Sequence, residues 1–280
     1  MKETTMERLI QIYDALLFDA MGVLVHREGP FPGVPELIGA LNDRSRPYYM
    51  LTNDASKLPA TLAERLQEFG LDIDADRIIT SGSLLKNYFK EQKLEGARCL
   101  VLGPPDSARY VSDAGGRLVG PGEDFDALVI GDEEGYPFLE TMDTVLTSLF
   151  KKADQGDAFH LIVPNPDLVY PKSDVTFGFA SGTLAAMFES ALRYRHPHGP
   201  EWRFARLGKP HTPIFNAALA KSGTRNMVMI GDGLQTDIRG ANAAGFDSAL
   251  VATGVSGGDL RDLPEEMRPT YFLKSLSIGS

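Results

Sequence analysis

Short apolar runs alternate along this chain with longer stretches in which apolar residues recur at three- and four-residue spacing. The runs at 15–18, 48–51, 99–102, 127–130, 160–163, 227–230 and 248–251 predict strands, and the stretches between them predict helices. Regular alternation of the two predicts an α/β fold built on a mostly parallel sheet. Helix punctuation agrees. The stretch 59–69 opens on Pro59 and stops before Gly70. Thr212-Pro213 reads as an N-cap followed by a proline in the first turn, opening a helix to about Lys221. Segments 27–35 and 164–171 carry too many prolines for helix interior and are expected to be loops.

The polar residues that end the apolar runs carry the candidate chemistry, because open parallel sheets bind ligands outside the carboxyl ends of their strands. The first run leads into Asp19-Ala20-Met21-Gly22, a carboxylate at a strand tip followed by a turn on glycine. Tyr49-Met50-Leu51 ends in Thr52-Asn53, and Leu207-Gly208 delivers Lys209 just ahead of a helix. Met229-Ile230 ends in Gly231-Asp232, with Asp237 five residues on. Taken singly, each has a plain structural reading: Asp232 or Asp237 as a helix cap, Thr52 as a turn residue, Lys209 as a solvated charge.

Taken together and in this order, Asp19, Thr52, Lys209 and Gly231-Asp232 with Asp237 resemble the four motifs of the haloacid dehalogenase superfamily. The resemblance spans essentially the whole chain. The interval between Asn53 and Lys209 has its own α/β pattern, with Asn165-Pro166-Asp167 in a loop and Ser181-Gly182-Thr183-Leu184 opening a helix. It is similar to the class IIA branch, the sugar-phosphate and p-nitrophenyl-phosphate phosphatase-like group. Thr236-Asp237-Ile238-Arg239-Gly240-Ala241-Asn242-Ala243-Ala244-Gly245 and Leu250-Val251-Ala252-Thr253-Gly254 are similar to that branch as well.

The resemblance implies a doubly wound Rossmann-like core formed by residues 1–82 and 204–280. It implies an inserted α/β cap over residues 83–203 that covers the site and selects the substrate. The implied activity is that of a Mg²⁺-dependent phosphatase acting on a small phosphorylated metabolite. Asp19 would attack phosphorus and the aspartyl-phosphate would then be hydrolysed by water. Asp19, Asp232 and the backbone carbonyl of Met21 would hold the cation, a hard ion that favours oxygen ligands. Thr52, Asn53 and Lys209 would hold phosphoryl oxygens, with Asp237 behind them orienting Lys209 or a water on the metal. Asn165 and Asp167 are the candidates for a substrate-facing element, although Asn-Pro-Asp is also a good turn sequence.

Met21 departs from the family pattern. In most phosphatases of the superfamily, the residue two positions after the nucleophile is an aspartate that protonates the leaving alkoxide. Methionine cannot do this, and general acid–base help is worth about 10²–10⁴-fold in rate. Alkyl phosphates are therefore expected to turn over slowly, unless His26 or Glu28 on the following loop substitutes. Dehalogenase chemistry needs no metal and leaves Asp232 and Asp237 without a purpose. Phosphonate hydrolysis needs a cap lysine, and none here has a supporting motif. The alternative is a pseudo-phosphatase that binds a phosphometabolite or partner without efficient turnover.

Composition narrows the remaining choices. The 280 residues are 43% hydrophobic and 24% charged, as in a soluble globular protein. A net charge of −10 without a basic stripe argues against a nucleic-acid partner. The single cysteine, Cys99, excludes an internal disulfide, and its apolar surroundings predict packing rather than catalysis. His196-Pro197-His198 lacks a third metal ligand. No signal-like or membrane-length apolar run is present, so a cytoplasmic location without membrane contact is expected. The resemblance also allows a homodimer.

Overall fold

The computed structural model describes residues 1–173, 175–252 and 262–279. Thr253 and Gly254 of the last motif-bearing segment lie outside the described residues. The chain divides into two compact units. One comprises Met1–Thr52, Pro59–Thr80 and Lys209 onward, and the other comprises Asn53–Leu58 and Ser81–Gly208.

The first unit is a seven-stranded sheet, parallel throughout, in the spatial order Lys2–Thr4, Tyr271–Leu273, Asp247–Val251, Met227–Gly231, Ala15–Asp19, Tyr48–Thr52, Ile78–Thr80. After the N-terminal edge strand Lys2–Thr4, the chain enters the middle of the sheet at Ala15–Asp19 and proceeds outward through Tyr48–Thr52 to Ile78–Thr80. It later returns to the other side of Ala15–Asp19 at Met227–Gly231 and proceeds outward the opposite way. The strand order therefore reverses between Ala15–Asp19 and Met227–Gly231, the place where such sheets open a crevice at their carboxyl ends.

The central strands are apolar on both faces, as a covered parallel sheet requires. Leu16, Phe18, Tyr48, Met50, Val228 and Ile230 point to one face, packed with Met6, Leu9, Leu37 and Ile38 from the helices Met6–Ile12 and Val34–Asp43. The alternate positions Leu17, Leu51 and Met229 are equally buried and belong to the opposite face. Burying a side chain such as Phe18 is worth about 1.5–3 kcal/mol. A run of them explains why these strands were readable in the sequence.

The second unit has its own parallel sheet, in the order Ala205–Arg206, His160–Val163, Ala127–Ile130, Arg98–Leu102, Arg117–Val119. Its core joins Leu100, Phe125, Leu128, Ile130 and Val163 to Val145 and Leu149 of the helix Phe138–Gln155 and to Phe188 and Leu192 of the helix Ser181–Arg195. Cys99 is buried in this sheet, and burial pushes its thiol up to about 11, which suits packing rather than nucleophilic use. Segment 164–171, expected to be loop throughout, contributes the strand Val169–Pro171 to an antiparallel hairpin with Phe177–Phe179. Thr212 begins its helix rather than capping it; His211 takes the cap position. No helix among the described residues is long and apolar enough to cross a membrane.

Candidate active site

Sheet register assembles the site. Asp19 is the last residue of its strand and lies opposite Leu51, so Thr52 stands one step further along the neighbouring strand. On the other side Ile230 pairs with Phe18, which sets Gly231 level with Asp19 and Asp232 one step beyond. Three carboxylates and a hydroxyl thus belong to adjoining carboxyl ends once Asp237 folds back onto the tip. That return needs a glycine: a Cβ at Gly231 would lie 2.3 Å from Asp237 Cβ. Gly22 is required for two reasons. Its φ is +86°, and a Cβ would lie 2.3 Å from Asp232 Oδ2. The turn of residues 20–25 is closed by Gly22 N donating to Val25 O and by Leu24 N and Val25 N donating to Ala20 O.

Lys209, 2% exposed, reaches into this cluster from just before the helix Thr212–Ser222. Its Nζ lies 2.6 Å from Asp19 Oδ1 and 2.7 Å from Asp237 Oδ1. Ala20 N also donates to Asp19 Oδ1 at 2.7 Å, which fixes the rotation of that carboxylate. Gly233 N donates to Asp237 Oδ2 at 3.0 Å, so both oxygens of fully buried Asp237 are held by protein donors. Burial, and then the Asp237 carboxylate, push the Asp19 carboxyl well above the usual range, while Lys209 pulls the other way. Burial alone would lower the Lys209 ammonium, but Asp19 and Asp237 outweigh it and hold it above its ordinary value. Lys209 keeps its proton.

One oxygen from each of Asp19, Asp232 and Asp237 lies within 4.8 Å of the others, the single metal-sized acidic cluster among the described residues. Three carboxylates against one ammonium leave surplus negative charge in a buried place. That composition suits a hard divalent cation, which takes oxygen donors. His26 and Glu28 are not part of the cluster. His26 turns its ring onto Phe31 at 5.0 Å between centroids, and its Nδ1 accepts from Glu28 N at 3.3 Å. Met21 is 53% exposed, so the position expected to carry an acid offers a solvent-facing thioether instead.

The remaining candidates belong to the second unit. Asn53 is buried, and its Nδ2 donates to Asp167 Oδ1 at 2.9 Å. Asn165 Oδ1 accepts from Asp167 N at 3.0 Å, closing a turn. His196 packs against Trp202 and Phe150, with Asp154 at 3.4 Å. Sequence reasoning passed over Asp132 and Glu133, which follow the Ala127–Ile130 strand. Burial, then Asp132, push the Glu133 carboxyl up to about 7, and Ser181 Oγ donates to it at 3.2 Å. The signal was present, because Ile130-Gly131-Asp132 repeats Ile230-Gly231-Asp232.

Comparison with known proteins accords with this geometry. A family model described as haloacid dehalogenase-like hydrolase matches residues 16–117, and a second, HAD-hydrolase-like, matches residues 206–278. A dihydroxyacetone phosphatase from Corynebacterium glutamicum is 30% identical over 264 residues, 93% of this chain and 88% of that protein. The chain belongs to the haloacid dehalogenase superfamily. Its branch is class IIA. The crystal structure of a possible sugar phosphatase of the superfamily from Cytophaga hutchinsonii is 31% identical with a TM-score of 0.82, covering 100% of both chains. The crystal structure of a glycerol phosphate phosphatase from Mycobacterium tuberculosis in complex with magnesium is 27% identical with a TM-score of 0.80. That match covers 98% of this chain and 77% of the other. Within the superfamily fold, the crevice where the strand order reverses is the place at which Asp19 and Asp232 meet.

Proposed function

We propose that this protein is a Mg²⁺-dependent phosphatase of small phosphate monoesters that works through an aspartyl-phosphate on Asp19. The observation that carries the reading is the cluster of Asp19, Asp232 and Asp237, with the Nζ of Lys209 bridging Asp19 and Asp237. Asp19, Asp232 and the Met21 carbonyl would hold the cation. When bound, it supplies positive charge that lets a carboxylate approach a phosphate dianion. Asp237 has both oxygens engaged by Lys209 and Gly233, which supports a positioning role behind Lys209 rather than a place among the ligands. Thr52, Asn53 and Lys209 would hold the phosphoryl oxygens, and the fixed carboxylate of Asp19 would attack in line with the departing ester oxygen. The P–O bond to that oxygen breaks as the Asp19–phosphorus bond forms, and water afterwards releases phosphate and restores the carboxylate. The names of the relatives, a dihydroxyacetone phosphatase and a glycerol phosphate phosphatase among them, support small polyol and sugar phosphates as the substrate class.

Met21 restricts this turnover, since its thioether cannot protonate the leaving oxygen. The same observation favours a second reading, a pseudo-phosphatase that binds a phosphometabolite without efficient turnover. One assay separates the two. The purified protein is offered p-nitrophenyl phosphate, whose leaving group needs little protonation, with Mg²⁺ and with a chelator. Turnover that requires Mg²⁺ and falls to background in Asp19→Asn is expected of the enzyme; equal background in both proteins would leave the binding protein.

A further inference from the structure

Segment 168–180 of the second unit folds back on itself as a hairpin that belongs to neither large sheet. Val169–Pro171 and Phe177–Phe179 pair antiparallel, with Val169 opposite Phe179, Tyr170 opposite Gly178 and Pro171 opposite Phe177. Alternation along the strands puts Val169, Pro171, Phe177 and Phe179 on one face and Tyr170 and Gly178 on the other. The Tyr170 face is covered. Gly178 is buried, and a Cβ there would lie 2.6 Å from the tyrosine ring. The opposite face is open, with Val169 55%, Phe177 62% and Phe179 70% exposed. Adjoining apolar side chains left in water mark a surface that another molecule covers.

The edges of the hairpin decide which molecule. Ala180 N donates to Leu168 O at 2.9 Å and Lys172 N donates to Thr176 O at 2.7 Å, so the hydrogen-bonded pairs of the ladder are 168 with 180, 170 with 178 and 172 with 176. The backbone groups of the intervening residues point away from the ladder. On one edge these are Val169 and Pro171, and Pro171 has no N–H to offer. On the other they are Phe177 and Phe179, each with an N–H and a carbonyl and with no strand beside it among the described residues. An antiparallel copy of the same edge, related by a two-fold axis at Gly178, sets each Phe177 against Phe179 of the second copy. Donors and acceptors then match one for one, and the rings meet as cross-strand aromatic pairs. Charge agrees. Each chain carries a net −10, while segment 168–180 has one lysine and one aspartate, a neutral place for two acidic chains to meet. A two-stranded hairpin is marginal by itself, and the pairing makes it four-stranded. We infer that a second copy of this chain covers the hairpin through its Phe177–Phe179 edge, giving a closed two-fold dimer with one continuous four-stranded sheet. The inference is independent of the phosphatase reading.

The test reads the mass of the full chain by light scattering behind size exclusion, over a range of protein concentrations. The unmodified protein is expected at the mass of two chains. Phe179→Asp is expected at the mass of one, with association weakened about a hundredfold or more, because the symmetry removes the ring twice and sets two like charges in the interface. Its circular dichroism should match that of the parent, and should it fail to fold, Phe179→Ser carries the same test. Cysteines read the register. Hydrogen-bonded neighbours across an antiparallel ladder have Cα atoms about 5.5 Å apart, within reach of a disulfide. Phe177→Cys and Phe179→Cys chains, mixed and oxidised with copper phenanthroline, should therefore crosslink to each other and neither to itself. Cys99 is buried and stays out of the reaction. A protein that stays single at every concentration would overturn the inference and leave the face to a ligand or a different protein. A dimer that survives Phe179→Asp would overturn it by placing the interface elsewhere, and masses that climb beyond two chains would overturn the closed pairing. Crosslinking of either variant with itself, or none in the mixture, would overturn the register and the edge pairing with it.

Discussion

The same tripeptide ends a strand in each of the two parallel sheets. Ile230-Gly231-Asp232 closes Met227–Gly231 in the first unit, and Ile130-Gly131-Asp132 follows Ala127–Ile130 in the second. In the first, the glycine makes room for Asp237, and Asp232 joins two further carboxylates, both of which hold a buried lysine. In the second, the glycine makes room for Ser107: a Cβ at Gly131 would lie 2.5 Å from the serine Cβ, whose hydroxyl holds Ala55 O at 2.7 Å. Asp132 accepts from Glu134 N at 3.0 Å, and its neighbour Glu133 meets the hydroxyl of Ser181. A strand-end Gly-Asp therefore supplies a position, and the groups around it decide the chemistry. With a lysine and further acids it suits a cation and a phosphate. With serine close by and Lys57 acting only as a more distant charge, it leaves a neighbouring carboxyl, Glu133, that burial pushes up to about 7.

The largest effect should come from removing the cation that distinguishes the two. Lys209→Met leaves Asp19 and Asp237 buried without their shared ammonium. Breaking such a buried ion pair from one side costs about 3–5 kcal/mol, to be read by urea unfolding of the metal-free protein. Turnover of p-nitrophenyl phosphate should fall by at least about 10²–10³-fold, the scale for loss of one group that stabilises transition-state charge. A Lys209→Met protein that kept turnover within tenfold would erase the difference drawn between the two strand ends.

A smaller effect, of opposite sign, is expected at Met21. Its side chain is 53% exposed, so a carboxyl placed there meets solvent rather than an apolar wall. Met21→Asp should raise kcat for alkyl phosphates by about tenfold or more, up to the 10²–10⁴ available from a positioned acid. The gain with p-nitrophenyl phosphate should be much smaller, because that leaving group departs as a stable phenolate. Equal gains on the two substrates, with folding intact, would show that protonation is not what Met21 withholds.

How much of this was legible in the sequence follows burial. The strands Ala127–Ile130 and His160–Val163 matched their expected limits, and Ala15–Asp19 and Met227–Gly231 extended by a single polar or small residue at the tip. Those strands are buried on both faces, so apolar runs announce them. Lys2–Thr4 and Arg117–Val119 were missed, each at a sheet edge with two of three residues exposed and owing its form to the neighbouring ladder rather than to its own pattern. Ile78–Thr80, Ala205–Arg206 and Tyr271–Leu273 were missed as well; Ile78–Thr80 is buried throughout, but two or three residues are too short a run to announce a strand. The strand-tip positions of Asp19, Thr52 and Asp232 were legible because each ends an apolar run. That Asp237 turns back to grip Lys209 depends on close approach to Gly231, and that Asp167 grips Asn53 depends on residues more than a hundred positions apart in sequence. Neither follows from spacing. Glu133 was not legible although its strand ending copies Ile230-Gly231-Asp232, because its character comes from burial and from Ser181, 48 residues away.

The smallest effect tests the second strand end through its pH dependence. The Glu133 carboxyl is pushed from an ordinary 4.5 to about 7, first by burial and then by Asp132. Between those values the folded chain binds more protons at this group than the unfolded chain does. Stability must then fall as pH rises from about 4.5 through about 7, and level off above. Glu133→Gln removes the group while leaving Asp132 in place. Its unfolding free energy relative to the parent should rise between pH 4.5 and pH 8. It should not shift the Mg²⁺ requirement of p-nitrophenyl phosphate turnover, since the cluster around Lys209 is untouched. A pH-independent difference between Glu133→Gln and the parent would mean that this carboxyl ionises in the folded chain as it does in water. The two Ile-Gly-Asp ends would then differ in their partners alone and not in the protonation those partners impose.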